Sequence, residues 1–133
     1  MPEPMIFGAD DVIPEKSDAQ YACQFVEAAV GQPTLVAAAI LTIAATLKNV
    51  ATAVAINSRT AQDVKNVNGG SLAIDGWFSL TLGALDNIYV GTAPGGLEEH
   101  RLTLQATYTR TGGGTGTLNH EVRFYVRNLV DVP

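Results

Sequence analysis

The chain has 133 residues, 47% apolar and 16% charged, with a formal net charge of −5. That size and apolar content allow one domain with its own core and argue against wholesale disorder, while the charged fraction is low for a domain surrounded only by water. No basic stripe with interleaved aromatics is there to displace counterions from phosphate, so no nucleic-acid partner is expected; the single cysteine, Cys23, excludes an internal disulfide and a cysteine-built zinc site.

The imbalance of charge sits at the beginning. Residues 1–27 carry Glu3, Asp10, Asp11, Glu15, Asp18 and Glu27 against Lys16, whereas residues 28–133 carry equal numbers of acids and bases. Pro2, Pro4 and Pro14 remove backbone donors and disfavour helix before them. Residues 1–18 therefore read as an extended acidic arm that is not a packed element, ahead of a single domain over 19–133. No basic leader with an apolar core is present, so no secretory signal is expected. Residues 28–47 are uncharged and long enough for a membrane span, but Gly31-Gln32-Pro33 breaks them and three threonines follow. They read as buried in protein, with no membrane partner.

Within 18–30, Tyr21, Cys23 and Phe25 alternate with Ala22, Gln24 and Val26, which favours a strand over the helical spacing that Tyr21, Phe25 and Ala28 also allow. Residues 35–47 are alanine-rich, which favours helix. Ile40, Thr42, Ile43 and Thr46 are β-branched, and a run apolar on both sides suits a central strand; a buried helix stays open as the alternative. Residues 50–56 read as a short strand, 60–67 as an edge strand or loop, and Asn68-Gly69-Gly70 as a turn. Asp75-Gly76 predicts a two-residue hairpin between 71–74 and 77–82, with Ile74 opposite Trp77 on one face and Phe78, Leu80 and Leu82 on the other. A longer loop over 83–96 follows.

The plainest stretch is 97–129. Leu102, Leu104, Ala106 and Tyr108 alternate with Arg101, Thr103, Gln105, Thr107 and Thr109; Leu118, Val122, Phe124 and Val126 alternate with Asn119, Glu121, Arg123 and Arg127. The glycine-rich residues 111–117 lie between, so the pattern is an antiparallel hairpin with one buried and one wet face. In all, seven or eight short strands with glycine turns predict an all-β fold, an antiparallel sandwich or jelly roll with an extended N-terminal arm. Its expected core is Phe78, Leu80, Leu82, Leu102, Leu104, Val122, Phe124 and Val126.

Catalysis needs convergent groups. His100 and His120 lie beside Glu98, Glu99 and Glu121, but neighbours on a strand face opposite sides, so ordinary polar strand ends are expected and no metal. No serine stands in a G-x-S-x-G elbow. The run 112–117 lacks the lysine and following helix of a phosphate loop. Asp10-Asp11 has no second carboxylate at fixed geometry. No catalytic residue, cofactor or enzymatic activity is expected. Binding is read instead at Ile6, Phe7, Asp10 and Asp11, in an arm that gains order by lying on a partner, and at Arg123, Tyr125 and Arg127 on the outer face of the last hairpin.

The strand Glu98-Glu99-His100-Arg101-Leu102-Thr103-Leu104, the glycine turn and the closing Glu121-Val122-Arg123-Phe124-Tyr125-Val126-Arg127-Asn128-Leu129 resemble small β-sandwich virion proteins of tailed bacteriophages. The likeness is greatest to the jelly-roll capsid cement (decoration) type of the short-tailed Bordetella phage, over about residues 34–129 in texture and size. This resemblance implies a non-enzymatic protein, a homodimer or higher homo-oligomer, made in the host cytoplasm and set on the capsid exterior. There it would clamp adjacent subunits of the major capsid protein. The arm has no counterpart in it. The alternative is a tail or baseplate immunoglobulin-like module that binds a host-surface glycan, for which Trp77, Tyr89 and Tyr125 are the available aromatics, or another tail protein.

Overall fold

The computed structural model describes residues 5–26, 35–91, 96–110 and 112–129. The Gly31-Gln32-Pro33 break and the end of the 18–30 segment lie outside them. Strands β1 (Met5–Ile6), β3 (Ala19–Gln24), β7 (Trp77–Leu82) and β6 (Gly70–Leu72) form a four-stranded sheet in that spatial order. Strands β2 (Val12–Pro14), β9 (Thr115–Arg127), β8 (Leu97–Thr109), β4 (Ile40–Asn49) and β5 (Gln62–Asp63) form a five-stranded one. The chain is thus the all-β sandwich that the alternation demands. Its strand order can be written A-B-E-D facing G-F-C, as in immunoglobulin-type sandwiches, with β2 added beyond G and β5 beyond C. One departure is β1, which runs parallel to β3.

The last hairpin sets the frame. Strands β8 and β9 pair over thirteen rungs, with Leu102 opposite Val122 and His100 opposite Phe124. Strand β4 pairs along the other side of β8, and its alanines give way to the extended form because Ile40, Ile43 and Leu47 fill the space between sheets. Only Ala37–Ala39 ahead of it make a 3-10 turn. All eight core residues expected from the sequence are buried, with Phe78 and Phe124 the largest.

Three local expectations are corrected. Residues 50–56 form no strand: the Asn49 side chain accepts the Thr52 N–H (3.1 Å), Ala53 takes a left-handed φ of 57°, and only the Lys48–Ala55 bridge remains. The hairpin at 75–76 is one residue longer than expected. Ala73, not Ile74, stands opposite Trp77 (Ala73 N–Trp77 O 2.8 Å), and Ile74 enters the turn at 90% exposure. Gly76 makes this three-residue turn possible, with φ +93° and no room for a Cβ, which would lie 1.9 Å from Leu35 O. Finally, the glycine turn is shorter than 111–117, because β9 already begins at Thr115. Gly116 lies beneath the Tyr108 ring, where a Cβ would come within 2.5 Å.

The largest correction concerns the arm. It is extended, but it is packed on its own sandwich. Strand β1 lies along β3 and β2 lies parallel along β9, so the segment straddles the open side between the sheets. Phe7 enters the core at 3% exposure, its ring 4.8 Å from Phe124 and 5.5 Å from Tyr21, and Ile13 is fully buried. Asp10, at φ 64°, reverses the chain between them while the Asp11 carboxylate accepts the Gly8 N–H (2.7 Å). Residues 5–18 therefore belong to the sandwich and are not separate from 19–133.

The chain also closes two stretches of its own sheet edges. Along β6 the amides turned away from β7 are taken by Val67 O (Gly70 N, 3.0 Å) and the Asn66 side chain (Leu72 N, 2.8 Å). Where β4 bulges near Leu41, the Lys65 ammonium donates to Ile40 O (2.8 Å) and Leu41 O (3.3 Å). Such devices withhold these stretches from strand pairing with another chain.

Candidate functional site

Strand alternation turns Thr42, Ala44, Thr46 and Lys48 of β4, Glu99 to Thr109 of β8 and Thr115 to Arg127 of β9, at every second residue, toward solvent. Their register writes the outer face of the five-stranded sheet in rows. Lys48, Arg101 and Arg123 share one row; Glu99 and Tyr125 lie on one side of it, and Glu121, Thr103 and Thr46 on the other. Three cations side by side repel one another, and the flanking carboxylates compensate. Arg101 lies 3.4 Å from Glu121 and 3.7 Å from Glu99; Arg123 lies 3.9 Å from Glu99 and 3.2 Å from Asp10. The hydrogen bond from Arg123 to Asp10, then the nearby Tyr125, Asp10 and Glu99, hold this guanidinium above its usual pKa. Between Thr46, Lys48, Arg101, Thr103 and Glu121 the face dips into a shallow depression of about 300 Å³. Beyond it the rows are neutral, with Gln105 donating to Asn119 (3.1 Å) and Thr42 bonded to Thr107.

Residues singled out in two distant parts of the sequence meet here. Asp10 pairs with Arg123, and the backbone continues the contact through Asp10 N–Arg123 O (2.7 Å) and Tyr125 N–Asp11 O (2.9 Å). Arg123 and Arg127 are exposed and Tyr125 is half-buried, opposite Val12. The arm meets the hairpin of its own chain rather than a partner. Phe7 is corrected from a partner contact to a core residue, because its ring fills the gap between Tyr21 and Phe124. Ile6 lies in β1 opposite Gln20, and its side chain is outside what the structure describes.

The histidines do not converge. His100 is fully buried against Phe124, and its Nε2–H donates to Glu98 (2.6 Å), which leaves Nδ1 without a partner. Burial pushes His100 below its usual pKa against the opposing influence of Glu98. Burial alone would raise Glu98, but hydrogen bonds from His100, Val90 N and Gly91 N outweigh it and hold the carboxyl low. His120 faces Tyr21 across the two sheets, ring on ring at 5.6 Å and joined by a hydrogen bond to the phenol. Burial lowers His120 and raises both Tyr21 and Cys23, the latter to about 11, so the thiol is protonated and inert.

Sequence reasoning missed one buried ion pair. Arg59 grips Asp86 with two hydrogen bonds (2.6 and 3.1 Å), while Asp86 also accepts from Asn57 and Gly83 N, and Arg59 donates to Gln62 and Asn68 O. Burial would raise Asp86; the bonds from Arg59 and Asn57 and the Arg59 charge hold it low instead. This network is fully used in tying loops together. The Glu98–His100 contact was open to sequence reasoning, since residues two apart on a strand share a face, whereas Arg59–Asp86 left no local pattern.

Among the described residues no three His, Cys, Asp or Glu side chains gather as a metal site would require, and no helix is long and apolar enough to cross a membrane. Of the aromatics, Trp77 is 48% exposed on the four-stranded sheet, while Tyr89 packs partly against the core. No protein-family model matches the chain, and no curated protein or solved structure matches it.

Proposed function

We propose that the protein is a non-enzymatic virion structural protein of the capsid cement type, which docks on the major capsid protein through the outer face of its five-stranded sheet. The observation that carries this reading is the ladder Asp10–Arg123–Glu99–Arg101–Glu121 on a broad sheet face. Its pairs are long and half-exposed, and exposed pairs of this kind contribute only about 0–1 kcal/mol to a fold. They can re-pair with the charges of a neighbour at little cost to the sandwich. Alternating signs then fix register and reject misplaced partners more than they add raw affinity. Many such modest contacts around a closed shell add up by avidity. Low overall charge and the resemblance of the last hairpin to virion sandwiches support the same reading, including an oligomer on the capsid exterior.

Quantitative mass spectrometry of purified virions tests it. The expected result is a copy number near that of the major capsid protein. A ratio of a few percent would transfer the protein to the tail or baseplate, a reading that the immunoglobulin-type strand order favours. Absence from virions would end both.

A further inference from the structure

The opposite face of the sandwich has a different composition. Among the described side chains, outward positions of the four-stranded sheet are Gln20, Ala22 and Gln24 on β3, Trp77, Ser79 and Thr81 on β7, and Ser71 on β6. Among them there is no charge; Asp18 and Asp75 stand beyond the strand ends, the latter accepting Trp77 N–H (3.2 Å) in its turn. Register sets Gln24 directly across from Trp77, Ala22 and Ser71 on either side of Ser79, and Gln20 across from Thr81.

We propose that this face is a binding platform for a neutral polysaccharide, with Trp77 as its stacking residue. A pyranose ring offers two surfaces: an apolar sheet of C–H groups and a rim of hydroxyls that both donate and accept. The half-exposed indole matches the first. The amides and hydroxyls of Gln20, Gln24, Ser71, Ser79 and Thr81 match the second, since each of them donates as well as accepts.

Other occupants fit less well. Nucleic acids and acidic polymers need cations, and the face has none on its strands. A peptide strand cannot extend the sheet at β6, whose outward amides are already bonded to Val67 O and Asn66. Four strands about 4.8 Å apart and six residues of about 3.4 Å make a platform of roughly 400 Å² at most. A stable protein partner takes about 800 Å², more than this platform offers; the exposed Val26, Val36 and Ile74 extend its apolar surface only at the turn end, beside Trp77. This inference concerns a face that the cement reading leaves free, and it stands or falls independently of that reading.

Trp77 is the sole tryptophan, so its emission reports directly on the site. The full chain is titrated with dextran, yeast mannan and soluble β-1,3-glucan, with alginate and heparin as charged controls, and run in native gels containing each. Retardation and an emission change with at least one neutral polymer, and with neither control, are the expected result. Trp77→Ala should weaken that retardation about tenfold or more, with an unchanged circular dichroism spectrum because the residue is outside the core. Trp77→Phe should retain part of it. No response to any of the three neutral polymers, or equal retardation of Trp77→Ala, overturns the proposal. Concentration-dependent self-association that Trp77→Ala abolishes overturns it too, and assigns the face to a second copy.

Discussion

The two outer faces of the sandwich share one core but present opposite chemistry. The five-stranded face carries a row of three cations laced with carboxylates; the four-stranded face carries amides, hydroxyls and one indole. Because strand alternation sends every second residue outward regardless of type, the fold leaves both faces free to be written for binding. What holds them in fixed relation is the seam, where Phe7, Ile13 and the Tyr21–His120 contact join the sheets.

Breaking the seam should give the largest effect. Phe7→Ala is expected to cost about 3–5 kcal/mol of stability, read as a fall in the urea midpoint by circular dichroism. Deleting residues 1–18 should likewise compromise folding, since it removes Phe7 and Ile13 together. A truncated chain as stable as the full one would show that the arm is dispensable to the core.

Acid should strain the same seam less. His100 and His120 have folded pKa values below the ordinary 6.5, so the unfolded chain binds more protons below that pH. The stability tied to their neutral forms is complete above about 6.5 and is lost as pH falls toward their folded values, by at most about 1.4 kcal/mol per pH unit for each. Glu98 and Asp86, held low, lose their contributions only at more acid pH, below the ordinary carboxyl range. Urea midpoints between about pH 8 and 5 should fall on acidification, and His120→Gln should flatten the curve.

The faces themselves should contribute little. Arg123→Ala is expected to cost under about 1 kcal/mol, with the difference shrinking in 1 M salt as screening removes the ladder's attraction, roughly to a 3 Å range. Trp77→Ala should change stability by no more than about 0.5 kcal/mol. A larger loss in thermal unfolding at either position would mean that the face in question serves the fold and not a ligand.

How much of this could be read from residues alone depended on distance along the chain. The last hairpin was legible because β8 and β9 each alternate over many residues and the glycines between them admit one connection. Trp77 was separable from Phe78, Leu80 and Leu82 by parity alone, and a turn one residue longer left that parity intact. The arm misled because prolines announce extension, and extension is compatible with lying on one's own sheets; Phe7 and Ile13 enter the core from opposite sides of a reversal and follow no period. Residues 50–56 have strand composition, but Asn49 captures the backbone ahead of them. The ladder was visible only in part. Arg123 was singled out, but its row with Arg101 and Lys48 needs the register of three strands, and Asp10 reaches it across 113 positions.

The parallel placement of β2 against β9 gives the molecule a mechanical character. These strands lie near opposite ends of the chain and run in the same direction, so a pull on both ends draws them along each other rather than apart. Asp10 N–Arg123 O, Tyr125 N–Asp11 O and Glu15 N–Arg127 O would then bear the load together, in shear, instead of opening one after another as in a zipper. A chain anchored at its two ends would resist stretching with this three-rung strand pair acting as a latch.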